Sequence, residues 1–222
     1  MAAKFEGFSS EALSFYEGLE DDNSKAYWTA HKEVYVVHVK GAMESFLSSL
    51  PADYQPFHVF RPNRDVRFAK DKSPYKTMHG ATSETEGGSI RYTHVAATGL
   101  LVAAGQYMMK NDQITRQRAA IDDNARGAQL LKIIAALRKK RYEIGPGGSP
   151  PLKTAPKGYP ANHPRIELLR WKGLIASLAI SDVAVVTSPQ ARAVAMKFWK
   201  DSEALTDWLD SNVGPTTLTY QR

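Results

Sequence analysis

Helices toward both ends and strands between them predict an α+β domain: an antiparallel or mixed central sheet with a hairpin, covered by helices that include long N-terminal and C-terminal ones. Apolar residues recur at three to four positions, with one step of seven, from Ser24 to about Leu50, the stripe of a helix laid on a core, and Val194, Phe198, Leu205, Trp208 and Leu209 carry a final helix. Ile90 to Ala97 and Leu100 to Tyr107 are β-favouring runs that flank Thr98-Gly99, a turn-length gap. A chain of 222 residues with 43% hydrophobic and 23% charged content suits one domain with a sizeable core, and no convincing linker divides it.

Ser9 or Ser10 caps a first helix through Glu11, Leu13, Phe15 and Tyr16, ended by Gly18 and the acidic run Glu20-Asp21-Asp22. The next helix buries Trp28, Tyr35, Val39, Ala42, Phe46 and Leu50, with one step of seven over His31, and closes at Pro51. Val34, Val36 and Val37 widen its stripe. Phe57 to Phe60 reads as a short strand entering a basic loop, Met78 to Ser83 as a strand leaving it, and Gly87-Gly88 turns the chain into the hairpin. Asn111 or Asp112 starts a helix carrying Ile114, Arg118 and Ile121. After Asn124 to Gly127 a second stripe runs Leu130, Leu131, Ile134, Leu137, and its end holds Arg138-Lys139-Lys140-Arg141, where cations suit a helix dipole. Gly145 to Pro151 is a loop inside the domain. His163-Pro164 opens a short helix through Ile166, Leu168 and Leu169. Leu174 to Ile180 and Val183 to Val186 are apolar enough for buried strands, and Ser188-Pro189 starts the final helix, which runs to Val213-Gly214-Pro215.

Composition narrows the chemistry. Cysteine is absent, which excludes disulfides, thiolate metal sites and a cysteine nucleophile. No apolar run approaches the ~20 residues of a membrane span, and Met1 to Ser10 holds Lys4 and Glu6 without an apolar core, so a soluble, cytoplasmic protein with no membrane partner is expected. The six histidines, at 31, 38, 58, 79, 94 and 163, form no close pair with carboxylates at zinc or iron spacing, and no metal centre is expected. Neither the G-x-x-x-x-G-K-[ST] order of a phosphate loop nor a G-x-S-x-G elbow occurs.

Charge concentrates in one stretch. Arg61 to Thr77 holds six Lys/Arg against two Asp, +4 of the chain's +6, so the remainder is nearly balanced. Arginine offers a planar fork of donors to carboxylate or phosphate and lysine a compact point charge, while Ser73, Thr77 and backbone N–H groups complete an anion cradle. Asp65 and Asp71 cannot neutralise Arg64, Arg67, Lys70, Lys72 and Lys76 together. The surplus needs water, an acidic surface or an anionic ligand. Alternatively the loop is a brace, with Asp65 pairing Arg67 or Arg118 and the charges sent to different faces.

The run from Arg64-Asp65-Val66-Arg67-Phe68 through Ala69-Lys70-Asp71-Lys72-Ser73 to Pro74-Tyr75-Lys76-Thr77 resembles the signature of the family catalogued as domain of unknown function 2461. Asn23 to Lys32 with Trp28, Gly105 and Tyr107, Arg118-Ala119-Ala120-Ile121, Leu152-Lys153, Pro156, Gly158 and His163-Pro164 agree with it in order. The likeness runs from Phe8 to about Trp208. It departs at Met108, where the family usually shows proline, and at Tyr27-Trp28, where it more often shows tryptophan then phenylalanine. The resemblance implies no established activity.

Three functions fit these residues. The first expectation is a small phosphate-bearing anion held by Arg64, Arg67, Lys70, Lys72, Tyr75 and Lys76, with Arg118 and Lys153 joining them around one concavity. Were it an enzyme, phosphate-ester chemistry would use Asp65 or Asp71 as base or Mg²⁺ ligand, with His79 and His163 as further acid/base candidates. A binding module would instead hold a nucleic acid or other polyanion, with Phe68 and Tyr75 stacking on bases. The third reading is the brace without a ligand.

Overall fold

The apolar periods of the sequence become helices and strands in the computed structural model, which describes residues 5–67 and 70–218. Helices α1 (Ser10–Asp21), α2 (Lys25–Ala30), α3 (Lys32–Val34), a π-helical stretch (Tyr35–Gly41) and α4 (Ala42–Ser48) precede strands β1 (His58–Val59), β2 (Met78–Glu84), β3 (Ile90–Ala96) and β4 (Gly99–Gln106). Then come α5 (Asn111–Asp122), α6 (Asn124–Lys139), β5 (Glu143–Gly145), α7 (Ile166–Arg170), β6 (Leu174–Ile180), α8 (Val183–Val186) and α9 (Gln190–Asn212). The strands form one antiparallel sheet in the order β1-β2-β3-β4-β6-β5, and β3–β4 is the predicted hairpin. His58 pairs with Thr82 at one edge and Glu143 with Ser177 at the other. The fold is α+β, as the sequence predicts.

Packing divides the chain into two compact units. The first comprises Met1–Ser83, Tyr92–Val102 and Ala179–Phe198, the second Glu84–Arg91, Ala103–Leu178 and Trp199–Arg222.

In the first unit, Phe5, Phe8 and Phe46 meet with ring centroids 5.1–5.6 Å apart, and α1 buries Leu13, Phe15, Tyr16 and Leu19. Arg192 Nε and Nη2 donate to Ser49 O at 3.0 and 2.7 Å, placing a cation on a carbonyl at the end of α4. The second helix of the sequence reading is not continuous. His31 leaves helical geometry (φ −107°, ψ 14°) and stacks on Tyr27 at 4.0 Å, which accounts for the seven-residue step in the apolar pattern. The π-helical stretch that follows turns Tyr35 and Val39 inward, while Val36 and Val37 are 47% and 55% exposed and add nothing to the core. Nor does Gly18 end α1. A Cβ there would lie 2.3 Å from the hydroxyl of Tyr27, which crosses the helix and donates to Phe15 O at 2.9 Å. Val183–Val186 is helix α8 and not a strand, because the Asp182 carboxylate accepts the N–H of Ala184 at 2.9 Å and starts a turn.

In the second unit, Leu130, Ile134 and Leu137 of α6 are buried with Leu168, Leu169, Trp199, Trp208 and Leu209, but Leu131 is 44% exposed, one helical step off the buried face. Helix α6 begins already at Asn124, since Asp123 accepts the N–H of Arg126 at 2.9 Å. Gly105 (φ +132°) approaches β6 so closely that a Cβ would sit 2.2 Å from Leu174 O. The indole of Trp199 donates to Ala103 O at 3.1 Å. Trp199→Phe, which leaves that carbonyl without its donor and removes part of a buried ring, is expected to lower stability by about 1–3 kcal/mol in urea denaturation. An unchanged midpoint would show that neither contributes.

Candidate anion site

The basic loop, part of the first unit, is closed at its base by a narrow neck. Arg64 N donates to Pro74 O at 2.9 Å and Lys76 N to Pro62 O at 2.8 Å, on either side of an antiparallel bridge between Asn63 and Tyr75. Asn23, which follows α1, clamps this neck. Its Oδ1 accepts from Tyr75 N at 3.0 Å and its Nδ2 donates to Tyr75 O at 3.1 Å, the pair of bonds that a neighbouring strand would supply. The ring of Tyr75 lies flat on Trp28, 4.2 Å away at 9°. Trp28 packs on Tyr35 at 4.6 Å, and the Tyr35 hydroxyl meets His79 Nδ1 at 3.3 Å. An aromatic ladder thus runs from the neck into the core.

Beyond the neck each carboxylate takes an arginine. Arg67 grips Asp65 with Nε at 2.9 Å and Nη2 at 2.7 Å, a bidentate fork. Arg64 Nη1 donates to Asp71 Oδ2, while Asp71 Oδ1 accepts from Ser73 N at 2.9 Å and Ser73 Oγ at 2.6 Å. Hydrogen bonds from Arg67 bring the Asp65 pKa down to about 2. Those from Ser73 first, then Arg64, hold Asp71 lower still. Both are firmly ionised and their oxygens engaged, which makes them poor general bases near neutrality. Because both pairs are open to solvent, they shape the loop more than they stabilise the protein.

The remaining cations have different occupations. Lys76 Nζ donates to Arg61 O at 2.8 Å and lies 5.3 Å over the Phe60 ring; burial, then Arg61, draws its pKa down. Lys72 Nζ donates to Val66 O at 2.9 Å. Arg61 and Lys70 are exposed. Among the described residues no carboxylate forms a salt bridge with Arg61, Lys70, Lys72 or Lys76. Phe68, expected to stack on bases, lies outside the described residues. Tyr75 is only 8% exposed, and instead of offering its ring to a base it anchors the loop on Trp28.

Arg64, Arg67, Lys70, Lys72, Tyr75 and Lys76 therefore share the first unit, whereas Arg118, Lys153 and His163 belong to the second. Arg118 Nε donates to Leu169 O at 3.0 Å. Lys153 is exposed, next to Leu152, whose N–H donates to Arg170 O at 3.0 Å. The two histidine candidates are both held in place. His79 is 3% exposed, and burial first, then Lys40 and Lys76, depresses its pKa to about 4. His163 Nδ1 accepts from Arg165 N at 3.0 Å, so its neutral ring carries the proton on Nε2, which meets Asp122 Oδ1 at 3.1 Å. Among the described residues no three His, Asp or Glu side chains gather as a metal set. No helix among them is long and apolar enough to cross a membrane.

Sequence reasoning had Asn23 only at the start of a family-like segment and missed its role, since its partner lies 52 residues away. It placed Trp28 in a core stripe without its role under Tyr75. Residues 11–208 match a family described as conserved hypothetical protein (DUF2461). No curated protein and no solved structure matches the chain.

Proposed function

We propose a function for the chain as a member of the DUF2461 family, to which it belongs: capture of a phosphate-bearing anion by the basic loop. One observation supports this reading above others. The loop's two carboxylates are spent on Arg64 and Arg67, and among the described residues Lys70, Lys72 and Lys76 form no salt bridge with an acidic side chain, while Arg61 acts on Asp65 only at longer range. An ammonium has three donors. Lys72 and Lys76 each give one to a backbone carbonyl, which orients the group and leaves others for a ligand. The cations stand on a loop whose base is closed by backbone bonds, so little ordering opposes binding.

The reading stops at binding, since the engaged carboxylates make a poor base. Calorimetric titration with inorganic phosphate tests it. Saturable heat at millimolar ligand is expected, with affinity at least tenfold weaker in Lys70→Ala/Lys72→Ala, whose folding should be unchanged. No heat for the wild type sinks the proposal. The polyanion alternative has its own signature: affinity that grows with oligonucleotide length and falls steeply with salt, log K against log salt having a slope of about −0.9 per duplex phosphate. A shallow slope without length dependence is expected.

A further inference from the structure

We propose a second oxyanion site, within the second unit, in which the guanidinium of Arg118 and the hydroxyl of Tyr159 hold the carboxylate or phosphate group of a small ligand beside the Asp122–His163 pair. It goes beyond the basic loop and does not depend on it.

Residues 146–165 join β5 to α7 without a helix or strand of their own. Connections that long inside a folded unit are uncommon and are usually functional or disordered. This one is fastened along its length. Gly148 N donates to Tyr107 O at 2.9 Å, Leu152 N to Arg170 O at 3.0 Å, and Tyr159 N to Pro156 O at 3.1 Å. His163 N donates to Pro160 O at 3.1 Å, and Arg165 Nη2 to Asp122 O at 2.8 Å. These fixed points hold His163 against Asp122 at the end of α5, with Tyr159 beside His163, and Arg118, four residues before Asp122, shares its helix face. The Tyr159 ring stands edge-on to His163, centroids 6.5 Å apart at 80°. His163 is thereby a positioning residue: Asp122 fixes one ring nitrogen, the Arg165 N–H the other, and the ring backs the tyrosine.

Electrostatics identifies what is missing from this arrangement. Arg118 is half-buried, commits Nε to Leu169 O, and among the described residues has no carboxylate in ion-pair contact. Burial pulls its pKa down, opposed by Tyr159. A guanidinium partly withdrawn from water, with one donor spent on a carbonyl and no counter-ion in contact, keeps further donors for an anion. Asp122 does not serve as that counter-ion, since its contact is with His163. Burial first, then Asp122, raises the Tyr159 pKa against the pull of Arg118, so the group stays a phenol and a donor at neutral pH. A planar fork plus one hydroxyl donor matches a group with two or three oxygens.

The test follows the Arg118 Nε–H resonance of the full-length ¹⁵N-labelled protein during addition of inorganic phosphate or acetate. Arg118→Lys, which keeps the charge, identifies the resonance by its disappearance. A saturable shift is expected, about tenfold weaker in Tyr159→Phe, which keeps the ring against His163, and unaltered in Lys70→Ala/Lys72→Ala. Tighter binding of phosphate assigns a phosphorylated ligand, and tighter binding of acetate a carboxylate. No shift with either anion at tens of millimolar, or equal affinity in Tyr159→Phe, overturns the proposal.

Discussion

Tyr75→Ala is expected to lower stability by about 3–5 kcal/mol and to abolish phosphate capture by the basic loop. The residue is 8% exposed, its ring stacks on Trp28 at 4.2 Å, and its backbone is held at both polar groups by Asn23. Removing the ring empties a space between helix and loop that the surrounding backbone cannot readily close. The remaining Asn23 clamp then works without the apolar contact that shields it. For a chain of this size the loss corresponds to a melting temperature lower by about 10 °C. Tyr75→Phe keeps the stack and should be nearly neutral. Denaturation curves for the two variants, with phosphate titration of each, decide the matter. A loss below about 1 kcal/mol for Tyr75→Ala would mean that the loop is anchored by backbone bonds alone.

The second large effect is one of pH. His79 and His94 have folded-state pKa values near 4 against an ordinary 6.5, both through burial, with Lys40 and Lys76 adding to it at His79. The unfolded chain therefore takes up protons from about pH 6.5 downward that the folded chain refuses until about pH 4. Stability is whole above that window and falls as pH drops through it, by at most about 1.4 kcal/mol per pH unit for each histidine. Asp65, with its pKa lowered to about 2 from 3.8, loses its contribution only at still lower pH, and as an exposed group it adds little. Urea midpoints at a series of pH values between 7.5 and 4.5 measure the slope. His79→Gln should flatten it by about half. A midpoint constant over this range would show that both histidines are protonated without penalty.

Much of the fold is legible because burial has a period. The hairpin and the final helix after Ser188-Pro189 follow from alternation and capping; the helix occurs where the pattern puts it, and the hairpin turn falls at Ala97-Thr98, one residue before the Thr98-Gly99 expected. Errors arise where one pattern serves two structures. Four apolar residues, Val183–Val186, fit a buried strand as well as a helical turn, and the deciding signal is the Asp182 cap. Gly18 is read as a helix end because glycine often is one, whereas its role is to admit Tyr27. In the basic loop the surplus of cations is plain from composition, but the pairing of Asp65 with Arg67 and Asp71 with Arg64 is one of several that the spacing allows. Only the folded neck, with Asn23 bonded to Tyr75, selects among them.

The π-helical stretch Tyr35–Gly41 has a rotational consequence. An α-helix turns about 100° per residue, and a π turn holds one residue more than an α turn. Across this stretch, then, the residues on the N-terminal side are swung relative to the Phe46 face by roughly the angle of one residue. That swing bears on Tyr35, which meets His79; Trp28, on the far side of the break at His31, packs on Tyr35 and lies beneath Tyr75. Deleting one of the exposed valines, Val36 or Val37, would restore ordinary winding without touching the core, yet it would turn the platform away from the loop that rests on it. The aim of Tyr35, on which Trp28 packs, is set by how many residues the stretch between it and Phe46 contains, and the outward valines are the place where the count is kept.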